Sequence, residues 1–144
     1  MNARALECVV DASVGAMLFL PEPLSPKAHK LFESLAASPP GRLFVPDLFY
    51  AECANVLLKY VRRGGYSVRE ARRDLADLRS LSLMAVPTSE LVDRAMSIAD
   101  AEGISAYDAC YVALADEIGA PLITADLKLV RKLADTAHQV RALG

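Results

Sequence analysis

Along the chain, short continuous apolar runs alternate with stretches whose apolar residues recur at helical spacing. Leu6 to Val10 is an apolar run rich in Val that stops at Asp11, the pattern of a strand buried on both faces. A short helix from about Ala12 to Phe19 follows, then a Pro-marked turn and a second helix opening near Pro26 and running to Ala37, ended by Pro39, Pro40 and Gly41. Leu43 to Val45 predicts a second strand, and Pro46 opens a long amphipathic helix that reaches Arg63 before Gly64 and Gly65 stop it. Ser67 and Glu70 form a capping-box pattern for the next helix. Leu83 to Val86 predicts a third strand, and Ser89 to about Ala101 a helix broken by Gly103. Ser105 caps a helix running to Ile118, Gly119 ends it, and Leu122 to Ala125 predicts a fourth strand that stops at Asp126. A helix from near Leu127 and a last strand near Gln139 to Ala142 complete the pattern.

Strands alternating with helices imply βαβ crossovers, and so a three-layer α/β fold: a parallel sheet of about four to five short strands with helices on both faces. No repeat, linker or low-complexity tract divides the chain, so residues 1–144 are expected to form a single domain. With 53% hydrophobic and 24% charged residues, the composition suits an ordinary globular core. A net charge of -2 and a pI near 5.7 exclude a highly basic nucleic-acid coater but leave room for a local basic surface. Cys8, Cys53 and Cys110 are odd in number and lie among apolar neighbours, as buried free thiols do, which favours a reducing cytoplasm. Asp11 interrupts the apolar opening from Leu6 to Leu20, no small-residue cleavage site follows it, and no run reaches membrane-spanning length. His29 and His138, the two histidines, stand in no metal-binding spacing, which disfavours zinc sites and Ser/His/Asp hydrolysis.

Four acids carry the chemistry that remains. Asp11 and Asp126 sit where an apolar strand has just ended, and open parallel sheets bind ligands beyond the carboxyl ends of their strands. Glu52 interrupts the apolar stripe Leu48, Phe49, Val56 of the long helix, where an unpaired charge costs several kcal/mol. Asp108 occupies the first turn of its helix and leads the stripe Tyr111, Val112, Ala115. Three of them have a plain capping reading beside this one. Asp11 and Asp126 would cap the helices that follow them, and Asp108 would complete a capping box with Ser105, whereas no capping role exists for Glu52 in mid-helix. Brought together, four carboxylates repel one another unless a cation neutralises them, and an all-oxygen set suits Mg²⁺ or Mn²⁺.

The strings around these acids are VVDAS at Asp11, PDLFYAECANVL at Glu52 and SAYDACYVALADEIGAPLITAD from Ser105 to Asp126. In their order and spacing they resemble the PIN domain, and more narrowly the VapC toxins of bacterial and archaeal toxin–antitoxin pairs, over essentially the whole chain. The resemblance implies a PIN-like fold and a metal-dependent ribonuclease, the toxin of a type II toxin–antitoxin system. It makes Asp11, Glu52, Asp108 and Asp126 the catalytic, Mg²⁺-binding acids, with Thr124 and Ser13 as supporting hydroxyls whose plain reading is capping. It also implies hydrolysis of RNA phosphodiesters, a homodimer, and a cognate antitoxin lying over the acidic groove.

Lys59, Arg62, Arg63, Arg69, Arg72 and Arg73 make the segment after Glu52 basic, with Tyr60 and Tyr66 placed to stack on an unpaired base. The same charges also read as solvated helix faces. Two other functions fit parts of the pattern. A receiver-like or haloacid-dehalogenase-like phosphoryl-transfer domain also gathers acids at strand ends, but Asp11-Ala12-Ser13 is not a DxD motif and no Lys lies near Asp11 or Thr124. A catalytically silent interaction module with a PIN fold would have no need of four acids.

Overall fold

The structure is a computed structural model and describes residues 4–144, so residues 1–3 of the expected 1–144 domain lie outside the described residues. Five strands form one parallel sheet: β1 (Glu7–Val10), β2 (Arg42–Pro46), β3 (Met84–Val86), β4 (Leu122–Thr124) and β5 (Val140–Ala142), in the order β3-β2-β1-β4-β5. That order differs from the 2-1-3-4-5 sheet of flavodoxin-like receiver folds, which removes the receiver alternative. The central register pairs Val9 with Phe44 on one side and with Leu122 on the other. Seven helices flank the sheet: α1 (Ala12–Ala16), α2 (Ser25–Glu33), α3 (Leu48–Arg63), α4 (Val68–Ser80), α5 (Val92–Glu102), α6 (Ala106–Ile118) and α7 (Leu127–Leu133). Cys8, Val9 and Val10 are consecutive residues and all are fully buried. Successive strand side chains point to opposite faces, so helices must cover β1 on both. Cys8, Cys53 and Cys110 are all free and buried. No helix among the described residues is long and apolar enough to cross a membrane.

Element boundaries depart from the apolar pattern where backbone bonding overrides it. The helix after Asp11 stops at Ala16 rather than Phe19, and the segment to Leu20 continues as turns. The next helix ends at Glu33 and tightens into one 3-10 turn, Ser34–Ala36. Pro46 closes β2 instead of opening α3, because it still pairs with Val86 of β3, and the Asp47 amide bonds the Val86 carbonyl at 2.8 Å. Asp47 then ties the junction down, accepting from the Thr88 amide at 2.9 Å and from the Thr88 hydroxyl at 2.7 Å. Both predicted caps are present: Ser67 accepts from the Glu70 amide and Ser105 from the Asp108 amide, each at 3.0 Å.

Two glycines shape the joins around the site, one before β4 and one at the α1–α3 crossing. Gly119 takes a left-handed conformation, φ 67°, ending α6 so that the chain turns into β4. Gly15 lies where α1 crosses α3. A Cβ there would stand 2.5 Å from Phe49 Cζ, so only glycine lets the short helix that follows Asp11 lie directly on the helix that carries Glu52.

Candidate functional site

The strand order turns back on itself between β1 and β4, and the loops leaving these two strands open the crevice in which open α/β sheets hold their ligands. Asp11 ends β1 and caps α1. Its Oδ1 accepts from the amides of Ser13 at 3.1 Å and Val14 at 3.4 Å, and from the Ser13 hydroxyl. Asp126 repeats the device for α7, its Oδ1 accepting from the amides of Lys128 at 3.0 Å and Leu129 at 3.2 Å. Capping therefore engages one oxygen of each carboxylate and does not consume the other. For these two residues the structural and the chemical readings are compatible.

Thr124 and Ser13 join the two loops. The fully buried Thr124 hydroxyl accepts from the Asp126 amide at 3.0 Å and lies against the Asp11 carboxylate. The Ser13 hydroxyl accepts from the Ala125 amide at 3.1 Å while donating to Asp11, so the loop after β1 is pinned to the loop after β4. Glu52 enters from α3, half-buried, with its Oε1 accepting from the Tyr111 hydroxyl at 2.5 Å. Asp108 enters from the first turn of α6. Its amide is capped by the Ser105 hydroxyl, which also lies beside its carboxylate and opposes the rise in its pKa.

These side chains border one open cavity of about 530 Å³, lined by Asp11, Ser13, Glu52, Asp108, Tyr111 and Asp126, together with Asn55, Lys59 and Tyr107. No His or Cys reaches it. As the side chains stand, no three His, Cys, Asp or Glu residues among the described residues are grouped tightly enough to hold one ion between them. Each of three acids is instead anchored at one oxygen, Asp11 and Asp126 on helix amides and Glu52 on a phenol.

The electrostatics show why the cavity suits a cation. Burial pushes the Asp11 carboxyl up to about 6, against the pull of its Ser13 and Thr124 hydroxyl partners and of the Val14 and Ser13 amides. Burial also raises Glu52, and the Asp108 charge adds to this while the Tyr111 hydroxyl opposes it. Asp108 is raised by burial first and by the Asp126 charge second. Neutralising such a chain of carboxylates favours a divalent ion, and the all-oxygen donor set fits hard Mg²⁺ or Mn²⁺ rather than Zn²⁺.

The sequence pattern assigned Tyr111 wholly to the core, yet its ring is buried while its hydroxyl fixes Glu52. Its spacing of three from Asp108 was the available signal, since such residues share a helix face. Lys59, by contrast, does reach the cavity as the basic-segment reading allows. Arg69, Arg72 and Arg73 line a separate depression with Arg79, Arg63 stacks over Tyr60 at 4.7 Å, and the Tyr66 hydroxyl is bound to Asp74 at 2.6 Å. His138 lies outside the cavity, 2.8 Å from Asp116. Removing the Tyr111 hydroxyl leaves Glu52 without its donor in a half-buried place, and hydrogen bonds to charged groups contribute about 1.5 kcal/mol or more. Tyr111→Phe is therefore expected to lower the midpoint of denaturant unfolding by a corresponding amount with an unchanged slope. A midpoint equal to wild type would show that the bond contributes nothing.

Comparison with known proteins adds to this geometry. A family model described as the PIN domain matches residues 8–135. The ribonuclease VapC3 of Pyrobaculum aerophilum is 37% identical over 129 residues, which cover 88% of this chain and 95% of the relative. A crystal structure of a Pyrobaculum aerophilum protein superposes with a TM-score of 0.68 at 28% identity, covering 99% of this chain and 93% of that one. A chain of a toxin–antitoxin complex from Klebsiella pneumoniae superposes with a TM-score of 0.67 at 17% identity, over 95% of this chain and 98% of its own, a likeness of fold alone.

Proposed function

Because the chain belongs to the PIN-domain family, and to its VapC-type members, we propose that it is a Mg²⁺-dependent endoribonuclease, the toxin of a type II toxin–antitoxin pair. The observation that carries this reading is that Asp11, Glu52, Asp108 and Asp126 border one open cavity at the carboxyl edge of β1 and β4. A bound Mg²⁺ or Mn²⁺ supplies neutralisation of the carboxylates and polarisation of a phosphodiester for attack by water. Asp11 and Asp108 would hold it directly, and Glu52 and Asp126 directly or through water.

The chain's own residues prepare that chemistry. Ser13 and Thr124 tie the loops of the two strand-end acids together, and Tyr111 holds one oxygen of Glu52, so the backbone carrying the donors is set in advance while their side chains would have to close on the ion. The cavity is open to solvent along the rim that carries Tyr107, whose side chain is well exposed, which suits an extended strand of RNA better than a small enclosed substrate. A cognate antitoxin silences the site by laying an arginine-bearing segment across these carboxylates, and the active form is a homodimer.

The test is cleavage of a fluorescent RNA by purified protein freed of any bound partner. Cleavage with Mg²⁺ or Mn²⁺, loss of cleavage in excess EDTA, and no rescue by Zn²⁺ are expected. Undiminished cleavage in EDTA, or none with either metal, would overturn the assignment.

A further inference from the structure

The acidic cavity repels the polyanion it is proposed to cut, so cations at its border must hold the strand while the reacting phosphate sits among carboxylates. Lys59 stands within the cavity itself. Asp108 and Asp126 also form a wall shared with a second recess of about 240 Å³, which Lys59 does not line and whose remaining lining includes Ile104, Leu129, Lys128 and Lys132. Lys128 and Lys132 are one turn apart on α7 and face the recess together.

The two lysines differ in what already engages them. Lys132 Nζ donates to the Gly103 carbonyl at 2.6 Å, so its charge lies at the C-terminal end of α5, where a cation is structurally favoured. Lys128 makes no salt bridge among the described residues, where Arg42–Glu7 and His138–Asp116 are the pairs found, and its ammonium donates no hydrogen bond there. Its backbone, however, is fixed: the Lys128 amide is bound to Asp126 Oδ1. The residue whose amide holds one of the acids therefore also carries an unengaged ammonium into the adjoining recess, from a backbone position tied to that acid.

Resting on the ribonuclease reading above, we propose that this recess seats the backbone phosphate of RNA neighbouring the scissile one, with Lys128 as its ligand and Lys132 as a structural tie. The strand then crosses the cleft from the Lys59 side, over the acids, to Lys128. Because the contact is made to phosphate, it positions RNA without selecting its bases.

Binding of a short fluorescent single-stranded RNA by the metal-free protein, followed by anisotropy across a series of KCl concentrations, tests this separately from cleavage. In Lys128→Ala the slope of log K against log salt should become shallower by about 0.7, the loss of one phosphate contact on a single strand. Lys128→Arg should restore it, and Lys30→Ala on α2 should leave it at the wild-type value. In Mg²⁺, KM should rise about fivefold for Lys128→Ala with kcat within about twofold, the signature of lost substrate binding. An unchanged slope in Lys128→Ala, with wild-type cleavage intact, would overturn the subsite and leave the ribonuclease reading standing. RNA bound by wild type but cleaved with neither metal would instead overturn the ribonuclease reading, and the slope would still decide the subsite.

Discussion

Asp11→Asn is expected to abolish RNA cleavage while making the metal-free protein more stable. Asparagine is as good a helix cap as aspartate, so the bonds to the Ser13 and Val14 amides survive the change. What is lost is a charge. A cation bound by hard carboxylates supplies several kcal/mol of transition-state stabilisation. If the substitution forfeits about 4 kcal/mol of it, at about 1.36 kcal/mol per tenfold, the rate falls about 10³-fold. Stability moves the other way. The Asp11 carboxyl rises from 3.8 in the unfolded chain to about 6 in the fold, so the folded state holds the extra proton between those values. Its contribution favours the fold below the unfolded value and is lost as pH rises through the folded one, leaving a desolvated charge that opposes folding at neutral pH. After allowance for relaxation around the charge, removing it is expected to contribute roughly 1–2 kcal/mol, a few degrees in melting temperature. Melting both proteins in EDTA above and below pH about 6 checks the sign, because the gain should shrink as the pH falls. A variant that cleaves at the wild-type rate would remove Asp11 from the site, and one destabilised at neutral pH would show that the carboxylate charge supports the fold.

Asp108→Asn separates a ligand from a cap. The cap of α6 is Ser105, whose hydroxyl takes the Asp108 amide, so the substitution should leave the metal-free melting temperature equal to or above that of wild type. It also removes a charge that burial, and after it the repulsion from Asp126, disfavours. With Mg²⁺ the two proteins should part. If the wild-type site has a dissociation constant near 1 mM, about 10 mM Mg²⁺ stabilises it by roughly 1.4 kcal/mol through mass action. The variant should lose most of that rise and about 10²-fold or more in cleavage. A variant destabilised by about 1 kcal/mol in EDTA and in Mg²⁺ alike, with its metal response intact, would mark Asp108 as a helix-start residue and not a ligand.

Much of this protein is written locally. The Val-rich run before Asp11, the apolar run before Asp126 and the Ser67 and Ser105 caps are short-range signals, and the observed β1, β4, α4 and α6 follow them closely. The fold class follows too, because alternating strands and helices leave a parallel sheet as their natural arrangement. The four acids were legible because each stands against its surroundings: a charge at the end of a buried strand, or on an apolar helix face, is costly without a purpose.

The sequence by itself thus determined the elements, their order and the four acids that border the candidate cavity. Only the tertiary structure decided that Tyr111 turns its hydroxyl to Glu52 across fifty-nine residues of chain, that Ser13 binds the Ala125 amide, and that Gly15 admits Phe49 at the α1–α3 crossing. It likewise decided that Pro46 stays in β2, because its strand has a partner in β3 that the apolar period does not reveal. Periodicity and capping are properties of neighbours in sequence, carried by bonds over three or four residues. Contacts between distant residues depend on how two elements are set against one another, and that is fixed by the packing of side chains from the whole core, which no local pattern encodes.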